Sequence, residues 1–237
     1  AAAGYKTVVK EVNDEFLQKG LGRIKKLLDG GVEKGKLTAE ARDATLGNLK
    51  GTISFADLKD CDIVIEAITE NLADKRALYA EVEKVVGPQA LIVSNTSSLC
   101  ITELAAATKR PDRFCGMHFF NPVPVMALIE LVKAITTSEE TVEFARAFGV
   151  MLGKTTVESR DRAGFIVNRL LIPYLNAAVR MLEEGFATRE DIDTAIHLGL
   201  NHPMGPLQLV DFIGVDTTLF VANVLYEEFR DPLYAAP

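Results

Sequence analysis

The chain has 237 residues, with 26 Lys and Arg against 33 Asp and Glu, a formal net charge of −7 and no tryptophan. This acidic balance argues against nucleic acid or an anionic membrane as a partner, because neither polyanion is drawn to a negative field. With 48% hydrophobic and 25% charged residues the composition is that of a globular chain, long enough for one large or two small domains.

Tyr5 to Val12 is a short β-branched run, and Asn13 offers an N-cap for a long amphipathic stretch to about Leu37, interrupted by Gly30-Gly31. Thr38 caps a further helix to Leu49. Asp62 to Ile68 reads as a buried strand, Asn71 to Val86 as a helix closed by Gly87-Pro88, and Ala90 to Ser94 as the next strand. Strands are expected at Arg113–Phe119 and Leu128–Lys133, then a helix over Glu139–Leu152 and a strand over Lys154–Glu158. Strands spaced by helices imply βαβ units and a parallel sheet covered on both faces, a doubly wound α/β domain.

After Gly164 the rhythm changes. Phe165 to Glu184 reads as one apolar helix with Pro173 inside it, and Thr188 caps a second, with Asp191 three residues on. Beyond the Pro/Gly turn at 201–206, helices fall near Leu207–Ile213 and Asp216–Arg230, and no strand follows residue 160. The boundary is placed at Ser159–Ala163, between an α/β domain over 1–160 and an all-helical domain over 161–237. No stretch approaches about 18 uncharged apolar residues, so no membrane span is expected. Cys61, Cys100 and Cys115 are odd in number and too few for a disulfide framework. They read as small core residues of a protein in a reducing compartment.

Four groups of residues carry chemistry. Glu11, at the end of the first strand, stands where a dinucleotide-binding fold keeps an acid for the adenosine ribose hydroxyls, which favours NAD over NADP; a plain surface Glu is the other reading. No G-x-G-x-x-G run occurs, and Gly20 and Gly22 lie inside the helix after Glu11. Ala1-Ala2-Ala3-Gly4 looks like the last turn of a helix closed by glycine, so a Rossmann unit here would have its first strand and phosphate loop upstream. Ser94 to Ser98 follows a buried strand, either as hydroxyls facing a ligand or as a polar turn capping the helix at Ile101–Ala106. His118 in Gly116-Met117-His118-Phe119-Phe120-Asn121-Pro122 and Glu130 in an apolar strand could pair. A carboxylate beside the imidazole would fix its tautomer and suit it to general-base work, whereas separately they read as a core His and a strand-edge acid. Asn168, one turn into the long helix, faces either a ligand or water.

SNTSSL (94–99), GMHFFNPVPVM (116–126), GFIVNRLLIPYLNAA (164–178) and HPMGPLQLVDFIGVDT (202–217) together resemble, in order and spacing, the L-3-hydroxyacyl-CoA dehydrogenase family, in particular its single-function 3-hydroxybutyryl-CoA members. The resemblance spans the whole chain. It implies NAD-dependent oxidation of an (S)-3-hydroxyacyl-CoA, with His118 as base, Glu130 as its electrostatic partner, and Ser97 and Asn168 on the reacting oxygen and the substrate. It further implies that Glu11, Glu70, Lys75, Ser97 and Asn121 contact NAD and that Lys34 lies near the coenzyme A phosphates. No metal is implied. His197 and His202 match no family position and read as structural.

A homodimer built on the helical domain is implied too, in keeping with its extensive apolar faces. On the same footing the Rossmann-type domain is incomplete at its N-terminus, the helical domain at its C-terminus, and the chain as written is expected to bind NAD poorly. The expected location is cytoplasmic, with the mitochondrial matrix open because a targeting peptide would lie upstream. Two alternatives stand beside this reading: a fragment of a multifunctional fatty-acid oxidation protein, and a non-catalytic crystallin-like relative.

Overall fold

The computed structural model describes all 237 residues. β1 (Thr7–Lys10) leads into α1 (Asp14–Glu33), where Asn13 Oδ1 accepts from Phe16 N at 2.9 Å, the expected cap. Gly30-Gly31 does not interrupt α1, which runs through both; two glycines weaken a helix by about 1 kcal/mol each without removing a hydrogen bond. Thr38 Oγ1 accepts from Ala41 N and caps α2 (Ala39–Gly47). Leu49–Thr52 is a strand, β2, where helix and loop were expected; Leu-Lys-Gly-Thr has neither alternation nor β-branched density to announce it. It pairs in parallel with β1 from Thr7↔Leu49 to Lys10↔Thr52.

The main sheet contains β3 (Ile63–Glu66), β4 (Leu91–Ser94), β5 (Phe114–Phe119), β6 (Leu128–Lys133) and β7 (Thr155–Arg160), in that spatial order. Between them run α3 (Leu72–Val82), α4 (Ile101–Ala106) and α5 (Glu139–Met151). The expectation of an all-parallel sheet fails at one place: β5 and β6 are antiparallel. The link over 120–127 is too short for a crossover, which takes a dozen or more residues.

Strand alternation divides the core into two layers. Ile92, Phe114 and Val132 pack with Tyr79 and Val82 of α3 and Leu104 of α4, while Leu91, Val93, Met117 and Leu131 pack with Ala145 and Phe148 of α5. This gives the doubly wound arrangement, helices on both faces. Gly116 allows α4 to lie close, since a Cβ there would stand 2.9 Å from both Ile101 Cδ1 and Val132 Cβ. Of the cysteines only Cys115 is a core residue; Cys61 is half-buried, and Cys100, expected inside, is exposed just before α4.

The second layer of the molecule is helical: α6 (Val167–Glu183), α7 (Arg189–Gly199), α8 (Pro206–Ile213) and α9 (Val215–Phe229). α6 starts two residues later than its apolar pattern suggests, because Gly164 (φ +76°) and Phe165 (φ +47°) are both left-handed. Thr188 caps α7 as expected, with Asp191 N donating to Thr188 Oγ1 at 3.1 Å, while the Asp191 carboxylate accepts from the Thr188 hydroxyl at 2.8 Å and not from its backbone N–H. No single helix is long and apolar enough to cross a membrane; the apolar pair α8 and α9 is bent by 97°.

Candidate active site

The site grows from the antiparallel register of β5 and β6. That register sets His118 directly opposite Glu130, and residues with this spacing in a strand share the face that carries α4. His118 Nδ1 lies 2.8 Å from Glu130 Oε2, with Glu130 completely buried and His118 6% exposed. The second carboxylate oxygen, Oε1, accepts from Ile166 N and Val167 N, both at 2.9 Å. Glu130 therefore caps α6, which has no side-chain cap of its own, and a carboxylate at a helix start meets the positive end of the helix dipole.

The imidazole is fixed on its other sides by two rings. Phe120 lies 4.5 Å and Phe165 5.6 Å from it, centroid to centroid. Phe165 is 4% exposed and packs into the core of the sheet domain, although it belongs to the segment that opens the helical one. Its left-handed backbone, costly for a bulky residue, is held by this burial and by the Glu130 cap that follows it. With Nδ1 engaged by Glu130, Nε2 is the nitrogen left for a ligand. Asn168 stands half-buried on the first turn of the helix that Glu130 anchors.

Glu70, Thr96 and Ser97 form a second constellation. Glu70 accepts from Thr96 Oγ1 at 2.8–2.9 Å, from Ser97 N at 2.8 Å and from Ser97 Oγ at 3.3 Å. The Ser94–Ser98 turn is not the cap of α4. Asp161, sixty residues away in sequence, takes that role, accepting from Ile101 N at 2.8 Å and Thr102 N at 2.7 Å. The turn is thus free to present Ser97, half-buried, and Ser98 Oγ is buried in it without a partner.

Glu11 follows β1, half-buried, its carboxylate accepting only from Val12 N at 3.3 Å. Asn121 is exposed and joined to Pro122 by a cis peptide bond. Lys34 is exposed at the C-terminal end of α1, with no side-chain partner. His197 Nδ1 lies 2.6 Å from His202 O, and both are exposed on the helical domain.

Lys75 is 1% exposed and pairs with Glu66 at 2.6 Å, with its ammonium 3.5 Å from Glu70 Oε2. Sequence reasoning missed Glu66, Asn95, Asp161 and Phe165. Asn95 Oδ1 accepts from Phe119 N at 2.9 Å and ties the end of β4 to that of β5. The partners of these residues are set by tertiary approach, and no local spacing signals them.

The polar set fits NAD: the Glu11 carboxylate is an acceptor of the kind that ribose hydroxyls need, and Glu70, Ser97 and Asn121 present further polar groups. No G-x-G-x-x-G cradle occurs within the 237 residues.

Residues 1–162 match the family described as 3-hydroxyacyl-CoA dehydrogenase, NAD binding domain, and residues 164–237 that described as 3-hydroxyacyl-CoA dehydrogenase, C-terminal domain. A Mycobacterium tuberculosis protein named 3-hydroxybutyryl-CoA dehydrogenase is 48% identical over 242 residues, covering 100% of this chain and 84% of its own length. Among solved structures, M. tuberculosis FadB2 superposes with a TM-score of 0.97 at 47% identity, over 100% of this chain and 84% of that one. The (S)-3-hydroxybutyryl-CoA dehydrogenase PaaH1 of Ralstonia eutropha gives 0.94 at 46% identity, over 99% and 83%.

Proposed function

The chain belongs to the 3-hydroxyacyl-CoA dehydrogenase family, whose members are NAD-dependent oxidoreductases, and from that premise we propose that His118 is the general base for a short-chain (S)-3-hydroxyacyl-CoA. The observation that carries this reading is the buried 2.8 Å contact between His118 Nδ1 and Glu130 Oε2. Glu130 holds the proton on Nδ1 and leaves the lone pair of Nε2 to accept the 3-hydroxyl proton. The imidazolium formed by that transfer already has a buried anion as partner, so little reorganisation accompanies the charge. Ser97 and Asn168 hydrogen-bond the oxygen as it becomes a carbonyl, holding it in line with the base. NAD, when bound, supplies the hydride acceptor, and Glu11, Glu70 and Asn121 are the residues that would hold it. Lys34 offers an exposed cation for the phosphates of coenzyme A.

The names of the relatives support a four-carbon acyl group as substrate. The helical domain exposes Leu170, Phe186, Leu198 and Phe212, each by 65% or more, and this apolar surface supports a homodimer built on it. In the dimer reading, light scattering returns twice the chain mass; a monomer refutes it. For the catalytic reading the test is His118→Gln. The expected result is a fall in kcat of about 10²–10⁴, with NADH affinity unchanged within a factor of about two. Near-normal kcat overturns the assignment.

A further inference from the structure

Residues 120–127 link β5 to β6 just beyond His118. Residues 121–127 are all exposed, so no apolar side chain anchors them in a core. Within the loop, Val125 N and Met126 N both donate to Pro122 O, at 2.9 and 3.0 Å. From outside, Thr155 N donates to Ala127 O at 2.7 Å, and Lys154 Nζ donates to Val123 O and Met126 O, each at 2.6 Å.

Lys154 stands on rigid ground. Gly153, with φ +74°, follows the end of α5, Lys154 N donates to Gly149 O at 3.1 Å, and β7 begins at the next residue. The base of the side chain is thus fixed by a helix end and a strand start, while its tip reaches 28 and 31 residues back along the chain. Both bonds of the ammonium go to main-chain oxygens of one exposed turn. A charged donor binds a carbonyl more strongly than a neutral one does, and such bonds set the shape of the turn whatever its side chains are.

The loop begins with Phe120. Its ring lies 4.5 Å from the His118 imidazole, centroid to centroid, yet the residue is only half-buried. On the β5 side the chain is held at Phe119, whose N–H donates to Asn95 Oδ1 at 2.9 Å. On the other side it runs through exposed residues until Val123 O meets the Lys154 ammonium. Phe120 therefore sits between two tethers, and Lys154 supplies the second.

We propose that Lys154 is a positioning residue for the reaction: its ammonium shapes the 121–127 loop and so keeps the Phe120 ring against the His118 imidazole. The proposal rests on the reading of His118 as general base, which His118→Gln tests separately.

Lys154→Met keeps the stem and removes the ammonium. Its kcat is measured with acetoacetyl-CoA at saturating NADH, so that a change at Asn121 in the same loop does not enter, and hydrogen–deuterium exchange follows the loop itself. The expected results are a fall in kcat of about tenfold with the KM for acetoacetyl-CoA within about twofold of the parent. Exchange quickens at Val125 and Met126 and is unchanged in β5 and β6. Phe120→Ala lowers kcat by a similar factor. The double variant Phe120→Ala/Lys154→Met loses little more than either single one, because both changes remove the same ring contact. If Lys154→Met melts early, Lys154→Gln is measured in its place. Parent-like exchange in the loop, a kcat within about twofold of the parent, or losses that multiply in the double variant each overturn the proposal, the last because a merely structural lysine acts independently of Phe120. If His118→Gln keeps near-normal kcat, the reading of the base falls and the proposal with it. If His118→Gln is impaired and any of those three results is found, the proposal alone is overturned.

Discussion

Replacing Glu130 by Gln leaves one carbonyl oxygen where two carboxylate oxygens served two sets of donors. In the protein Oε2 faces His118 Nδ1 at 2.8 Å, and Oε1 accepts from Ile166 N and Val167 N at 2.9 Å. If the Gln oxygen stays on the two backbone N–H groups, its NH2 faces Nδ1. The imidazole must then accept there and carry its proton on Nε2, the nitrogen that has to be empty to act as a base. If the amide is flipped, the His tautomer survives, but two donors at the start of α6 meet a third, and burial denies them water. Leaving such groups unsatisfied costs about 1–3 kcal/mol each. The first arrangement has fewer unmade bonds and should prevail. The expected outcome is a fall in kcat of about 10²–10⁴, a loss of stability of no more than about 1 kcal/mol from the missing charge at the start of α6, and NADH affinity within about twofold of the parent. The assay is acetoacetyl-CoA-dependent oxidation of NADH, with thermal unfolding and NADH titration in parallel. Near-normal kcat in a folded Glu130→Gln protein would refute the tautomer argument, because neither orientation of the amide leaves both jobs done.

Further outcomes follow from the surroundings. Cys100 is exposed whereas Cys115 is buried with its thiol pushed up to about 12 by desolvation, so a thiol reagent should label Cys100 first and Cys115 only on unfolding. Loss of the fast phase in Cys100→Ser checks this, and rapid native labelling of Cys115 would contradict it. Hydrogen bonds from Lys50 at 2.7 Å and Thr52 at 2.5 Å hold the Asp57 carboxyl below its ordinary value of 3.8. A carboxylate lowered on folding stabilises fully above its unfolded value, and that contribution is lost as the pH falls through the folded one. The small melting-temperature gap between the parent and Asp57→Asn should therefore be constant from about pH 7 to 5 and close below about pH 4; a gap that widens in acid refutes it. Gly164→Ala puts a Cβ 2.7 Å from Leu225 Cδ2 and 3.1 Å from Arg169 N at a φ of +76°. It should cost roughly 1–3 kcal/mol in denaturant melts, and a parent-like midpoint would show that the junction before α6 is looser than described.

The sequence by itself determined the elements whose signals are local. Asn13, Thr38 and Thr188 each cap the helix they precede, through an N–H three residues on, and chain-neighbour chemistry of that kind is readable in order. The switch from strand-and-helix alternation to helices alone was legible for the same reason, as was His118 with Glu130 as a candidate pair. What eluded the sequence was the pairing of strands. Leu49–Thr52 becomes a strand because β1 lies beside it, and the direction of β6 follows from a link too short to cross over.

Helix starts show the division most clearly. α4, α6 and α8 have no side-chain cap of their own, and each takes a carboxylate from elsewhere: Asp161 for α4, Glu130 for α6, and Asp193, which accepts from Leu207 N at 2.8 Å and Gln208 N at 3.0 Å, for α8. Two of these cross the junction between the sheet and the helices, Asp161 reaching back and Glu130 reaching forward. Unpaired N–H groups at a helix end require an acceptor, but nothing in the local sequence says from which part of the chain it comes. Only the tertiary structure decided that the acid beside His118 would also be the acid that starts α6, because a carboxylate has two oxygens and the packed chain brought a different donor to each.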